Sequence, residues 1–139
     1  MAAPPDTVIF YFFHPHTMGQ YFKAANTDKH EYVCPWCIGC TAKLWEWAAN
    51  PHGSIFTLLL RKSDHGGGGD CQCFDTSAVA GRWAGDRVCL IGDYDSSRLY
   101  EEMKSYRNIS REVVEEWNEF IGCPDMKLEY DPCTCCTPS

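Results

Sequence analysis

The sequence predicts an α+β fold: a small mixed sheet packed by two to three helices, in one compact domain spanning residues 1–139. Three observations lead there. Strand-like runs at 7–13, 31–33, 87–91 and 126–130 are interleaved with segments of helical periodicity, with no internal repeat and no linker long enough to divide domains. A chain of 139 residues can bury one core but not two. Its composition, 45% apolar and 14% aromatic, is that of a well-packed protein and excludes a disordered one.

Residues 7–13 are β-branched and aromatic without polar alternation, which suits a strand buried on both faces. His14-Pro15-His16 ends it, because proline cannot continue a central strand. Residues 31–33 add a short strand leading into the first cysteines. Strong helix formers fill 41–49, with Leu44 and Trp47, or Trp45 and Ala48, at helical spacing, and Asn50-Pro51 stops the helix. Residues 55–62 read as a helix capped by Ser54, although Ile-Phe-Thr-Leu-Leu-Leu is equally acceptable as a buried strand. His65-Gly-Gly-Gly-Gly-Asp70 is a flexible loop. Residues 87–91 form a strand bounded by Gly85-Asp86 and Gly92-Asp93, and 97–106 a short helix.

The clearest element is a helix over 111–121. Ser110 serves as its N-cap, Glu112 lies in the first turn, and Gly122 follows the last periodic residue. Val113, Val114, Trp117, Phe120 and Ile121 make one apolar stripe opposite Glu115, Glu116 and Glu119, a pattern of core packing. Residues 126–130 read as a last strand, so the core covers 6–131 and residues 132–139 are a cysteine-rich tail.

Ten cysteines, most in short-spaced groups, dominate the chemistry. Cys34, Cys37 and Cys40 form Cys-x-x-Cys-x-x-Cys, Cys71 and Cys73 form Cys-x-Cys, and Cys133, Cys135 and Cys136 form Cys-x-Cys-Cys. Two thiolates three positions apart on a tight turn bind one tetrahedral zinc ion without strain. Zinc is therefore the expected cofactor, with Cys34, Cys37, Cys133 and Cys136 as ligands and the tail docked on the first knuckle. Four thiolates at about 2.3 Å close such a site, and the binding energy is also folding energy. Cys71 and Cys73 are the competing pair. Cys40 and Cys135 are further alternates, and His14 and His16 are the best placed histidines.

A second reading of the first knuckle is redox. Glu31-Tyr-Val-Cys34-Pro-Trp-Cys37-Ile-Gly39 resembles the active-site segment of the DsbA-like thiol oxidoreductases, where an acidic residue precedes Cys-Pro-Trp-Cys and a glycine follows. The resemblance covers nine residues of 139. It implies Cys34 as the attacking thiolate, its pKa lowered by a helix N-terminus, and Cys37 as the resolving thiol. The chain departs from that family in the strand spacing before the motif, in the extra thiol Cys40, and in lacking a strand after a plausible cis-proline.

Other motifs fail or stay structural. Asp93-Tyr-Asp95-Ser-Ser97 begins like a calcium loop, but Arg98 stands where glycine is needed and Lys104 where glutamate is, so its aspartates turn the chain instead. The glycine loop lacks a Gly-Lys-Ser/Thr ending. Around Trp83, an arginine stack from Arg82 or Arg87 and an Arg–Asp86 pair are both available, in a recognition surface or in a loop entering a strand. Net charge of −7 disfavours nucleic acid. The N-terminus has no basic n-region and no run approaching the roughly 20 residues that span a bilayer, so the expectation is no membrane and a cytoplasmic or other reducing compartment. The function expected is a zinc-stabilised, non-catalytic domain for a protein partner or self-assembly. The alternatives are a thiol–disulfide oxidoreductase using Cys34 and Cys37, or a small enzyme with its site around Gly66–Gly69.

Overall fold

The computed structural model describes residues 19–68 and 77–136. The strand expected at 7–13, His14, His16, Cys71 and Cys73 lie outside the described residues. Four strands form one mixed sheet: β1 (Phe22–Asn26), β2 (Glu31–Val33), β3 (Val88–Gly92) and β4 (Arg107–Asn108), in the order β3-β1-β2-β4. β1 runs antiparallel to β2 and β3, and β4 is parallel to β2. Four α-helices are described: α1 (Leu44–Ala49), α2 (Ile55–Leu59), α3 (Leu99–Glu102) and α4 (Ser110–Phe120). Two of them, only four or five residues long, fall within the segments 55–62 and 97–106 read as helical from the sequence.

The pleat sorts the sheet into two faces. Ala24 and its partner Val33 join the main core, with Ile38, Trp47, Ile55, Leu58, Leu59, Trp83, Val113 and Trp117. Ala25 and its partner Tyr32 face the other way, into a second cluster with Cys34, Cys37, Ile91 and Met103. Because side chains alternate along a strand, Tyr32 in β2 and Cys34 just beyond it share this second face. Lys23, two residues before Ala25, shares it too. The main core is mostly apolar, with Glu31 and His52 buried at its edges, and the sheet's reverse carries the cysteines.

Several expectations shift for identifiable reasons. The helix expected from 41 begins at Leu44, because Ala42 stays extended and its carbonyl accepts the Phe22 N–H at 2.7 Å. Residues 55–59 are helical, but Ser54 makes no side-chain cap. Ser110 is the first residue of α4 and not its cap; its N–H is taken by Asn108 Oδ1 at 3.0 Å. Residues 126–130 pair with no strand among the described residues. A short 3₁₀ turn, Pro124–Met126, is followed by extended chain whose Leu128 is bonded on both sides by Asn118: Leu128 N–H donates to Oδ1 at 2.8 Å and Nδ2 donates to its carbonyl at 2.7 Å. An amide side chain on α4 satisfies the groups that a neighbouring strand would have used.

Around Trp83 neither local pairing forms. Trp83 is fully buried, Arg82 reaches Glu31, Asp86 binds Lys29 and Asn26, and Arg87 turns to Asp28. This segment is a loop locked into the sheet. Asp93 accepts the Tyr21 N–H at 2.9 Å and Asp95 accepts that of Ser97 at 3.0 Å, so both aspartates turn the chain as expected. Among the described residues no helix is long and apolar enough to cross a membrane.

Candidate metal centre

The first knuckle is built by the exit of β2. After Cys34, residues Trp36–Ile38 make one 3₁₀ turn, ended by Gly39 at φ +79°. That left-handed conformation needs glycine, and a Cβ there would also stand 3.1 Å from the Glu129 carbonyl. The turn is held from two sides. Cys34 N–H donates to Ser110 Oγ at 2.9 Å, and the Cys37 carbonyl accepts the Asp131 N–H at 2.8 Å. The second of these bonds lands two residues before Cys133, and so delivers the tail to the knuckle.

There the thiols converge. Cys133 Sγ lies 3.7 Å from Cys34 Sγ and 3.4 Å from Cys37 Sγ. The sulfurs of Cys34, Cys133, Cys135 and Cys136 all lie within 4.8 Å of one another. A cluster of four cysteines that could hold a metal ion is therefore present, with Cys37 as a fifth thiol against it. The eight cysteines among the described residues are free thiols. Cys34 and Cys37 are fully buried, whereas Cys135 is exposed. Cys40 is not in the cluster: it packs against the main core, and its sulfur contacts the Ile38 carbonyl at 3.7 Å.

The cluster has its own polar surroundings. Lys23 Nζ donates to Cys136 Sγ at 3.7 Å, and Asn108 Nδ2 donates to Cys37 Sγ at 3.6 Å. Asn108 is fixed in turn, its Oδ1 accepting from both the N–H and the hydroxyl of Ser110. Asn108 is a residue that the sequence alone did not single out. The available signal was an Asn-x-Ser just ahead of a helix, an arrangement in which the amide oxygen caps the backbone two residues on. Lys23 carried no signal of its own, because β1 was not recognised.

The thiols share charge unequally. Contacts from Cys34 and Cys37 hold the Cys136 thiol far below its usual range, with Tyr32 and the Lys23 ammonium adding to this. The same contact with Cys136 pushes Cys34 up, and Cys37 rises to about 11 for that reason first. Burial, then Cys133, raises Cys135 to about 12. One thiolate is thus stabilised by its protonated neighbours, and a cation at the centre would favour loss of the remaining protons. This differs from the activation that the oxidoreductase resemblance implies, where Cys34 is the low one. No protein-family model, curated protein or solved structure matches the chain.

Proposed function

We propose that the chain is a zinc-stabilised, non-catalytic interaction domain in which Cys34, Cys37, Cys133 and Cys136 hold one ion. The observation that carries the metal is the approach of the tail to the first knuckle, with sulfurs 3.7 and 3.4 Å apart across 99 and 96 residues of sequence. A tetrahedron with bonds of about 2.3 Å has sulfur–sulfur edges of about 3.8 Å. Cys133 and Cys135, at 2.9 Å, are too close to be two corners of it, which favours Cys37 over Cys135 as the fourth ligand. The Asn108 amide that donates to Cys37 favours the same choice, since donors to ligating groups orient and tune them. Thiolates select zinc over harder cations such as magnesium or calcium. An oxidoreductase needs an accessible attacking thiolate, and full burial of Cys34 and Cys37 opposes that.

The interaction half of the reading is supported by α1, where Leu44 and Trp45 are 52% and 66% exposed beside a buried Trp47. Elemental analysis with a thiol count, on protein purified without added zinc, tests the metal. About one equivalent is expected, and Cys133→Ser or deletion of 132–139 should release it and destabilise the domain, while Cys40→Ser keeps it. A metal-free protein of unchanged stability overturns the reading. Sedimentation of wild type against Trp45→Glu tests the surface: association lost in the variant supports it, and identical behaviour removes α1 from the proposal.

A further inference from the structure

The reverse face of the sheet carries a cavity of about 860 Å³ that metal binding leaves unused. Its size is that of small-molecule sites, commonly about 300–1,000 Å³. Cys135 and Cys136 form one wall, and Tyr21, Tyr32, Trp36, Tyr100 and Tyr106 supply the aromatic surface. Lys23 projects among these rings because the alternation of β1 puts it on this face. Only 9% of Lys23 is exposed. Its ammonium lies 5.3, 5.4 and 5.9 Å from the ring centroids of Tyr100, Tyr32 and Trp36.

An ammonium has three N–H donors. Among the described residues one acceptor meets them, Cys136 Sγ at 3.7 Å. Ring faces compensate a buried cation in part, by about 0.5–2 kcal/mol, but they are poor substitutes for an acceptor oxygen. A buried donor beside an open, aromatic-walled space is the mark of a site that takes its acceptor from a ligand. The surroundings narrow the class. A ligand cation finds its place between the rings already filled by Lys23. A polyanion finds too little positive charge, since Lys104 is paired with Glu101 at 2.9 Å and Asp93 also lines the wall.

We propose that this cavity binds a small planar aromatic molecule bearing one acceptor oxygen, carbonyl or carboxylate, which stacks on the tyrosine and tryptophan rings and accepts a hydrogen bond from Lys23. The inference does not depend on which metal the cysteines hold. It is tested on the full chain as purified, by calorimetric titration with indole-3-carboxylate, indole-3-carboxamide and indole-3-methylamine. One of the first two should bind with one-to-one stoichiometry at least tenfold more tightly than the amine, and the tighter of them tells carboxylate from carbonyl. Lys23→Met should abolish that preference and Lys23→Arg keep it, while Tyr100→Leu should weaken binding of the preferred probe at least fivefold. If Lys23→Met fails to fold, Tyr100→Leu alone decides. The proposal is overturned if no probe binds wild type, if the amine binds as well as the others, or if Tyr100→Leu binds as wild type does.

Discussion

Replacing Glu31 by alanine should be among the most damaging single changes outside the cysteines. Glu31 opens β2 with a side chain only 4% exposed. Its carboxylate accepts from Arg82 Nε at 2.9 and 3.1 Å, from Arg82 Nη2, and from Trp83 Nε1 at 2.9 Å, with Arg107 Nη1 3.9 Å away. Alanine strands the indole N–H of a fully buried tryptophan, a loss of about 2 kcal/mol. Removing one partner of a buried ion pair costs about 3–5 kcal/mol, but Arg82 is 32% exposed and can recover water, so about 1–2 kcal/mol is the fitting share. The sum, about 3–4 kcal/mol, lowers the melting temperature by roughly 10–15 °C in a domain of this size. Glu31→Gln retains an acceptor for Trp83 and should lose about half as much. Chemical denaturation of Glu31→Gln, of Arg82→Met and of the double variant gives the coupling, expected above about 1 kcal/mol. A loss below about 1 kcal/mol for Glu31→Ala would falsify the account of this network.

The same residue sets a pH limb. Burial pushes the Glu31 carboxyl up, but the bonds from Arg82 and Trp83 and the charges of Arg82 and Arg107 outweigh it and hold the group below its ordinary 4.5. The unfolded chain therefore takes up the proton first as pH falls. The stabilisation is complete above about pH 4.5 and is lost as pH drops through the folded value, and Glu31→Gln should flatten that limb.

Asn118→Ala removes both bonds to Leu128 and should cost about 2 kcal/mol, with hydrogen exchange at the Leu128 amide accelerated more than at the centre of β1; unchanged exchange there would show that the segment holds itself. His52 is fully buried against Trp47, with no well-formed hydrogen bond to either ring nitrogen among the described residues, and burial lowers its pKa against the opposing pull of the nearby Thr41 backbone and Glu46. The unfolded histidine protonates first, so stability should begin to fall as pH drops below about 6.5, and His52→Leu should remove that part of the slope between pH 7 and 5; parallel pH profiles of the two proteins would refute it.

What could be read from the sequence was wherever local preference and tertiary demand agree. β3 has Val, Leu and Ile between turn residues, and α4 presents an apolar stripe over three turns, so each is written twice, in propensity and in pattern. β1 is written in neither. Phe-Lys-Ala-Ala-Asn holds no β-branched residue, and two alanines sit where packing leaves no space for more. Like β2 it is hydrogen-bonded on both sides, here to β2 and β3, so the sheet imposes its conformation. Asn118 shows the converse failure: residues 126–130 have a strand's composition, but one amide side chain takes the place of a neighbouring strand, and no pattern in the segment announces that.

The cysteines divide along the same line. Spacing specifies that Cys34 and Cys37 can meet one ion, because a tight turn fixes their separation locally. It says nothing about which face of the sheet they reach or which distant thiols meet them. That is decided by the pleat of β2, which puts Cys34 on the side of Tyr32 and Lys23, and by the Asp131–Cys37 backbone bond that steers the tail there. Both determinants are backbone events, independent of the thiols' own chemistry. A consequence is that the cysteine centre and the aromatic cavity share a wall at Cys136 and a donor at Lys23. If the proposed ion and ligand both bind, each would change the charge or the hydrogen bonding that the other meets, and the Lys23 ammonium would link the two.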